Sequence, residues 1–215
     1  MNTWRSRLLS AVSPLESGVR GLRVNGFRPA DGRAYRPSRT AAVLVPFLDL
    51  PEPELVLTRR ADHLPQHPGQ VCFPGGAAED NDQTAVQTAL REAREEIGLP
   101  PERARAIGFL DRMDTVSDYR VLPVVALVTP PVDWVLDARE VAEVFTVPAS
   151  VVLDRARYRE REMERDGRRY TIWSLPWQDY EIWGATAAML INLIARMEQL
   201  DPIDSTGTRA AAGPR

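Results

Sequence analysis

The chain has 215 residues, a formal net charge of −3 and 44% hydrophobic content, ordinary values for one globular domain with appendages. All 27 of its Lys/Arg residues are Arg, and it has two His and one Cys. That inventory excludes a Lys Schiff base, a phosphate-loop Lys, an internal disulfide and a Cys/His zinc cage, and the mild negative charge argues against a bulk nucleic-acid binder.

No apolar run reaches the roughly 18 residues of a membrane-spanning helix. The opening stretch MNTWRSRLLSAVSP lacks the apolar core of a secretion signal, so the cytoplasm is the expected compartment. That stretch predicts a short helix ending near Pro14, and residues 25–40, rich in Gly, Pro and Arg, an extended lead-in. Ala41–Leu48 and Glu54–Thr58 read as β-strands on either side of a Pro51–Pro53 turn region, with a third extended piece at Gln70–Phe73 running into a tight turn at Pro74-Gly75-Gly76. Thr84–Ile97 has Ala85, Thr88, Ala89, Ala93 and Ile97 at helical spacing and Gly98 as its stop. Ile107–Leu110 and Leu122–Val128 follow as strands and Pro148–Leu153 as a short helix. Tyr158–Glu164 and Arg169–Ser174 flank Asp166-Gly167, the turn chemistry of a hairpin. Trp183–Leu200 is apolar all round, which predicts a buried helix. Strands that do not alternate regularly with helices predict an α+β fold, helices covering a mixed sheet. The tail, residues 201–215, has almost no large apolar side chains and is expected to be disordered.

Glu92, Glu95 and Glu96 are three and four residues apart, so on a helix they share a face. Like charges at that spacing repel, and a divalent cation reverses the repulsion, because Mg²⁺ and Mn²⁺ prefer hard oxygen ligands and bridge carboxylates to phosphates. The bland alternative is a solvated face of ordinary ion pairs with Arg91 and Arg94. The preceding Gly75-Gly76, where backbone can approach an anion closely, favours a site.

Taken together, these residues resemble the Nudix hydrolases. Arg91 to Leu99 matches the R-E-x-x-E-E-x-G half of the family's box, with the small Ala93 at its first aliphatic position. Gly76 and Asp82 keep the spacing of the first half, with Asp in place of Glu, and one residue more than usual precedes Arg91. The lead-in Leu57-Thr58, Arg60-Ala61, Leu64, His67, Gly69-Gln70-Val71 and Phe73–Gly76 is similar to the coenzyme A pyrophosphatase branch, except that Pro65 stands where that branch often has a basic residue. The likeness continues through Leu122–Val125, Glu140–Pro148 and Ile182–Ala187. It makes residues 38–200 the main domain and residues 1–37 an N-terminal helix and lead-in.

The resemblance implies a Nudix-type mixed sheet between helices and hydrolysis of the diphosphate of coenzyme A or its derivatives, giving 3′,5′-ADP and 4′-phosphopantetheine or its acyl form. ADP-ribose or a dinucleotide is the alternative substrate. It implies Mg²⁺ or Mn²⁺ on Glu92, Glu95 and Glu96, with Glu95 a ligand or the base, and Arg91 pinning a glutamate through a two-pronged contact. Gly75 and Gly76 would shape the loop, Arg60, ahead of Arg59, would fork onto the 3′-phosphate of coenzyme A, and His67 would face substrate or hold its own loop. One of Glu140 and Glu143 would add an acid or hold an element end. His63 and Cys72 read as structural, and Trp173, Trp177, Tyr180 and Trp183 as packing residues that could also stack on a base. The expected partner is the small-molecule substrate, with no nucleic acid or membrane, and a homodimer is compatible.

Overall fold

Two long aliphatic stretches, residues 39–48 and 119–128, form the centre of the fold. They lie side by side as parallel strands over their whole length, from Arg39 opposite Tyr119 to Leu48 opposite Val128. The computed structural model describes residues 3–26, 35–165 and 168–199. In chain order these form α1 (Thr3–Ala11), β1 (Val24–Gly26), β2 (Arg39–Leu48), β3 (Glu54–Arg60), β4 (Val71–Cys72), β5 (Gly75–Ala77), α2 (Ala85–Ile97), β6 (Ala104–Phe109), β7 (Arg112–Asp114), β8 (Tyr119–Val128), β9 (Val141–Pro148), α3 (Ala149–Val152), β10 (Arg159–Arg165), β11 (Arg168–Trp177), β12 (Tyr180–Trp183) and α4 (Gly184–Glu198). β1 to β9 make one mixed sheet and β10–β12 a small antiparallel one. The α+β expectation is met, with helices on both faces of the large sheet.

Alternation along the central strands separates those faces. Ala42, Leu44, Val124, Ala126 and Val128 pack against Ala89, Ala93 and Ile97 of α2. Val45, Phe47, Val125 and Leu127 pack instead with Leu8, Leu190, Leu193 and Ile194 of the terminal helices and with Leu175 and Ile182 of the small sheet. The N-terminal helix is thus part of the packed body, with Leu8 fully buried. The expected runs at Ala41–Leu48, Glu54–Thr58 and Leu122–Val128 fall within strands, that at Ile107–Leu110 overruns β6 by one residue, and those at Thr84–Ile97 and Trp183–Leu200 coincide with helices to within two residues at either end.

Two features depart from the sequence expectation. Gly75-Gly76 is a strand rather than a turn, because β5 pairs antiparallel with Ala41–Val43. Val141–Pro148, which no periodicity picked out, is the strand next to β3. The expected Asp166-Gly167 turn and the disordered tail lie outside the described residues, although β10 and β11 pair up to Arg165 opposite Arg168.

The free edge of β2 is shared between two partners. Val43 back to Ala41 pairs with β5, and Phe47–Leu48 pairs with β3. Between them the Leu44 N–H donates to the Pro74 carbonyl at 2.8 Å, and Pro46 has no N–H to offer. This split lets the chain around Gly75 enter the sheet.

On the opposite face, Asp111 ties the N-terminal segment to α4. It is 9% exposed and accepts from Arg196 Nη1 at 3.1 Å, Asn192 Nδ2 at 2.8 Å and the Arg23 N–H at 3.0 Å. Arg196 also donates to the Ala11 carbonyl and to Ser13 Oγ, both at 2.6 Å. Asp111→Ala leaves the Asn192 and Arg23 donors unpaired and takes from Arg196 its acid partner while its bonds to Ala11 and Ser13 remain, and should cost about 3 kcal/mol of stability. Urea unfolding should show the midpoint falling with no change in slope.

Candidate active site

Thr84 caps the α2 N-terminus, its side chain accepting from the Gln87 N–H at 3.2 Å. Gly98 closes the other end in a left-handed conformation, its N–H bonded to the Arg94 carbonyl and the Leu99 N–H to the Ala93 carbonyl. Between these caps Ala89, Ala93 and Ile97 anchor the helix to the sheet. That anchoring turns Glu96 inward and Glu92 toward β5.

Glu96 is only 4% exposed, and one of its oxygens accepts the Gly75 N–H at 3.0 Å. Burial pushes its pKa up to about 8, against the pull of that hydrogen bond, and Glu92 and Glu140 push it further while Arg60 opposes them. Glu92 is raised chiefly by burial and lowered by Arg91, with Glu95 and Glu140 again raising it. It fits this place because Gly76 has no side chain: a Cβ there would sit 2.5 Å from the Glu92 carboxylate. A Cβ on Gly75 would meet the backbone of Ala42 and Val43 at 2.5 Å.

Arg91 is the hub of the outer half of the site. Its guanidinium forks onto Asp82, Nε to Oδ1 at 3.2 Å and Nη2 to Oδ2 at 2.9 Å. Nη1 makes single contacts to Glu92 at 2.9 Å and Glu95 at 3.1 Å, and Nη2 also donates to the Ala77 carbonyl at 3.0 Å. The two-pronged contact expected with a glutamate is therefore made with Asp82, whose pKa it holds at about 2. The turn that accommodates the extra residue is closed by the Asp82 N–H on the Glu79 carbonyl and by Asp82 Oδ2 accepting the Glu79 N–H.

The other candidates divide between the two faces. Arg60 is half-buried and close enough to draw Glu96 and Cys72 down, and its Nε is buried with no hydrogen-bond partner among the described residues. Arg59 instead meets Asp62 at 2.8 Å and Glu143 at 3.6 Å. Glu143 is also bound by the Tyr180 hydroxyl, and the Tyr180 ring stacks on Phe145 at 3.9 Å. Of the two acids left open by the sequence, Glu140 is the one that influences the carboxylate cluster. The loop after β8 carries it there, with the Asp137 N–H on the Glu96 carbonyl at 3.0 Å. His67 is exposed on the β3–β4 loop, beside Arg39 and Ser117. His63 Nε2 lies 3.1 Å from the Arg139 carbonyl, and burial pushes the Cys72 thiol up to about 11.

Among the described residues no three acidic, imidazole or thiol side chains are already drawn into a closed metal cage, since Arg91 holds Glu92 and Glu95. The donor chemistry nevertheless fits a hard dication. Glu96 is buried and Glu92 half-buried, and each is pushed toward the neutral form chiefly by burial and then by like-charged neighbours, a cost that such an ion relieves. No helix is long and apolar enough to cross a membrane among the described residues.

A family model for the NUDIX domain matches residues 38–167. The protein NudL of Enterobacter sp. (strain 638), named an uncharacterised Nudix hydrolase, is 40% identical over 166 residues, 77% of this chain and 86% of that protein. Its counterpart in Cronobacter sakazakii (strain ATCC BAA-894) is 42% identical with the same coverage. The crystal structure of a MutT protein from Methanosarcina mazei Go1 superposes with a TM-score of 0.47 at 17% identity, over 78% of this chain and 98% of that one.

The raised pKa of Glu96 has a signed consequence. The folded chain keeps this proton to about pH 8, whereas the ordinary value is 4.5, so the folded state binds the extra proton between them. The contribution to stability is complete below that ordinary value and is lost as pH rises through the folded one. Thermal melts of protein in chelator should show Tm falling across this window. The Glu96→Gln variant should flatten that dependence, and Mg²⁺ or Mn²⁺ should oppose it in the parent chain.

Proposed function

The chain belongs to the Nudix hydrolase family, and from that premise we propose that it hydrolyses the diphosphate bond of coenzyme A or its derivatives with a divalent cation. The observation that carries this reading is the buried Glu96 and half-buried Glu92 against the glycine strand, with an Arg60 Nε beside them that has no hydrogen-bond partner among the described residues. Acidic oxygens that lack water and a cation that lacks an acid partner are complementary to a metal-bound diphosphate. The choice of coenzyme A rests on the lead-in from Leu57 to Gly76.

Glu92 and Glu96 are the residues to hold the cation, Mg²⁺ or Mn²⁺, with Glu95 a third. When bound, that ion supplies charge neutralisation at the diphosphate and a more acidic water. Glu95 has a side chain 59% exposed, the most open of the three, which supports its role as that third ligand or, in its stead, as the base for the attacking water. Arg91 keeps two anchors outside the cluster, Asp82 and the Ala77 carbonyl, and so orients Glu92 and Glu95. Arg60 supplies positive charge to the diphosphate from the β3 side.

Incubation with coenzyme A and either cation should release 4′-phosphopantetheine and 3′,5′-ADP, read by mass spectrometry. Rapid cleavage of ADP-ribose or a dinucleotide with none of coenzyme A would overturn the substrate assignment. Glu96→Gln retains an acceptor for the Gly75 N–H and should fold, while kcat falls at least about a hundredfold. Gly76→Ala forces Glu92 away, and the cation concentration for half-maximal rate should rise at least about tenfold, the lower end of a disturbed ligand shell.

A further inference from the structure

A second cationic recess lies beside β5, on the face of β2 turned away from α2. Arg39, Gln66, His67, Val116 and Ser117 line a cavity of about 290 Å³. That is below the roughly 300–1,000 Å³ of sites that engulf a whole organic ligand, so it suits one compact group. The groups that line it are mostly donors. The Arg39 guanidinium stacks 3.9 Å above the Tyr119 ring, and one Nη2 hydrogen bond goes to the Ser117 carbonyl at 3.3 Å. Stacking fixes the plane of the guanidinium and leaves its other N–H groups free to fork onto an anion.

Arg39 makes no ion pair among the described residues. Asp118, which feels its charge, is bonded by the Ser38 N–H and hydroxyl. The His67 ring makes no hydrogen bond among the described residues, and its backbone is left-handed, with φ of 57°. The Gln70 N–H on the His67 carbonyl at 3.3 Å holds that turn.

Strand β2 runs from the recess to the glycines that face the carboxylates. Thr40, next to Arg39, accepts the Ala78 N–H at 3.0 Å, and Ala42 pairs with Gly76. About 10 Å of β2 therefore separates Arg39 from Ala42, and Gly76, which faces Glu92, lies one strand spacing beyond, a span on the scale of two phosphates carried on one nucleoside. Arg60, beside Glu96, lies with the reacting diphosphate and leaves a second phosphate to another cation.

We propose that this recess binds a phosphate monoester of the substrate remote from the bond that breaks, which in coenzyme A is the ribose 3′-phosphate. The inference rests on the coenzyme A reading above, and its test separates the two. The expected result is a kcat/KM for coenzyme A at least about tenfold above that for dephospho-coenzyme A, the scale of one hydrogen bond to a charged group. In Arg39→Gln that ratio should fall to near one, and His67→Ala should lower it more than His67→Gln, which keeps a donor. Damage to the fold lowers both substrates together and leaves the ratio intact. No preference in the parent chain, or a ratio that survives in Arg39→Gln, overturns the proposal. If neither coenzyme is cleaved, the substrate reading fails alone, and calorimetry still decides on the recess. Tighter binding of 3′,5′-ADP than of 5′-AMP, lost in Arg39→Gln, supports it, and equal affinities overturn it.

Discussion

Gly75 packs its backbone against Ala42 and Val43, and Gly76 packs against the Glu92 carboxylate, both at separations that a Cβ would violate. The site depends on this double close approach. It brings the Gly75 N–H within 3.0 Å of Glu96, a donor that offsets part of the cost of taking that carboxylate out of water. A side chain at Gly76 would push Glu92 and its helix away, and one at Gly75 would part β5 from β2; either would return the acids to solvent. Their pKa values would then fall, and with them the tendency to gather a cation.

The two faces of β2 carry different duties. On the α2 face, small residues such as Ala42, Ala89 and Ala93 let the helix lie close and present its acids at the split edge. On the other face, Phe47 and the leucines of α1 and α4 supply most of the large side chains. The Asp111–Arg196 junction joins the chain's N-terminal segment to α4 there, remote from the acids of α2. Arg91 has an analogous role on the site side: its fork onto Asp82 keeps it in place independently of Glu92 and Glu95. These two glutamates are then free to exchange partners without loss of the helix's position.

The strong periodic signals were legible before the structure. Ala85 to Ile97 repeats its apolar residues at helical spacing, and the aliphatic runs in β2 and β8 leave little choice but buried strands. β5 was read as a turn because Gly-Gly-Ala has no side-chain pattern, and only its partner β2 makes it a strand. β9 was missed because its interior positions are half-exposed and alternate weakly. Arg59 and Arg60 are adjacent in sequence, and only Arg60 falls on the lead-in pattern. In the sheet they point to opposite faces, one to Glu143 and the other to the surroundings of Glu96. Asp82 carried a doubtful spacing, which the Glu79–Asp82 turn resolves by placing it under Arg91.

Counting residue types left oxygen ligands and Arg to carry the chemistry, and the spacing of Glu92, Glu95 and Glu96 put them on one helical face. Those conclusions are local, because they need only composition and the 3.6-residue helical repeat. Which carboxylate is buried, which partner Arg91 grips, which of Glu140 and Glu143 stands beside the cluster, and that Arg39 meets His67 across a recess depend on pairings between distant residues. They were decided only when β2 divided its edge between β5 and β3, since burial and electrostatic neighbourhood are properties of the packed chain.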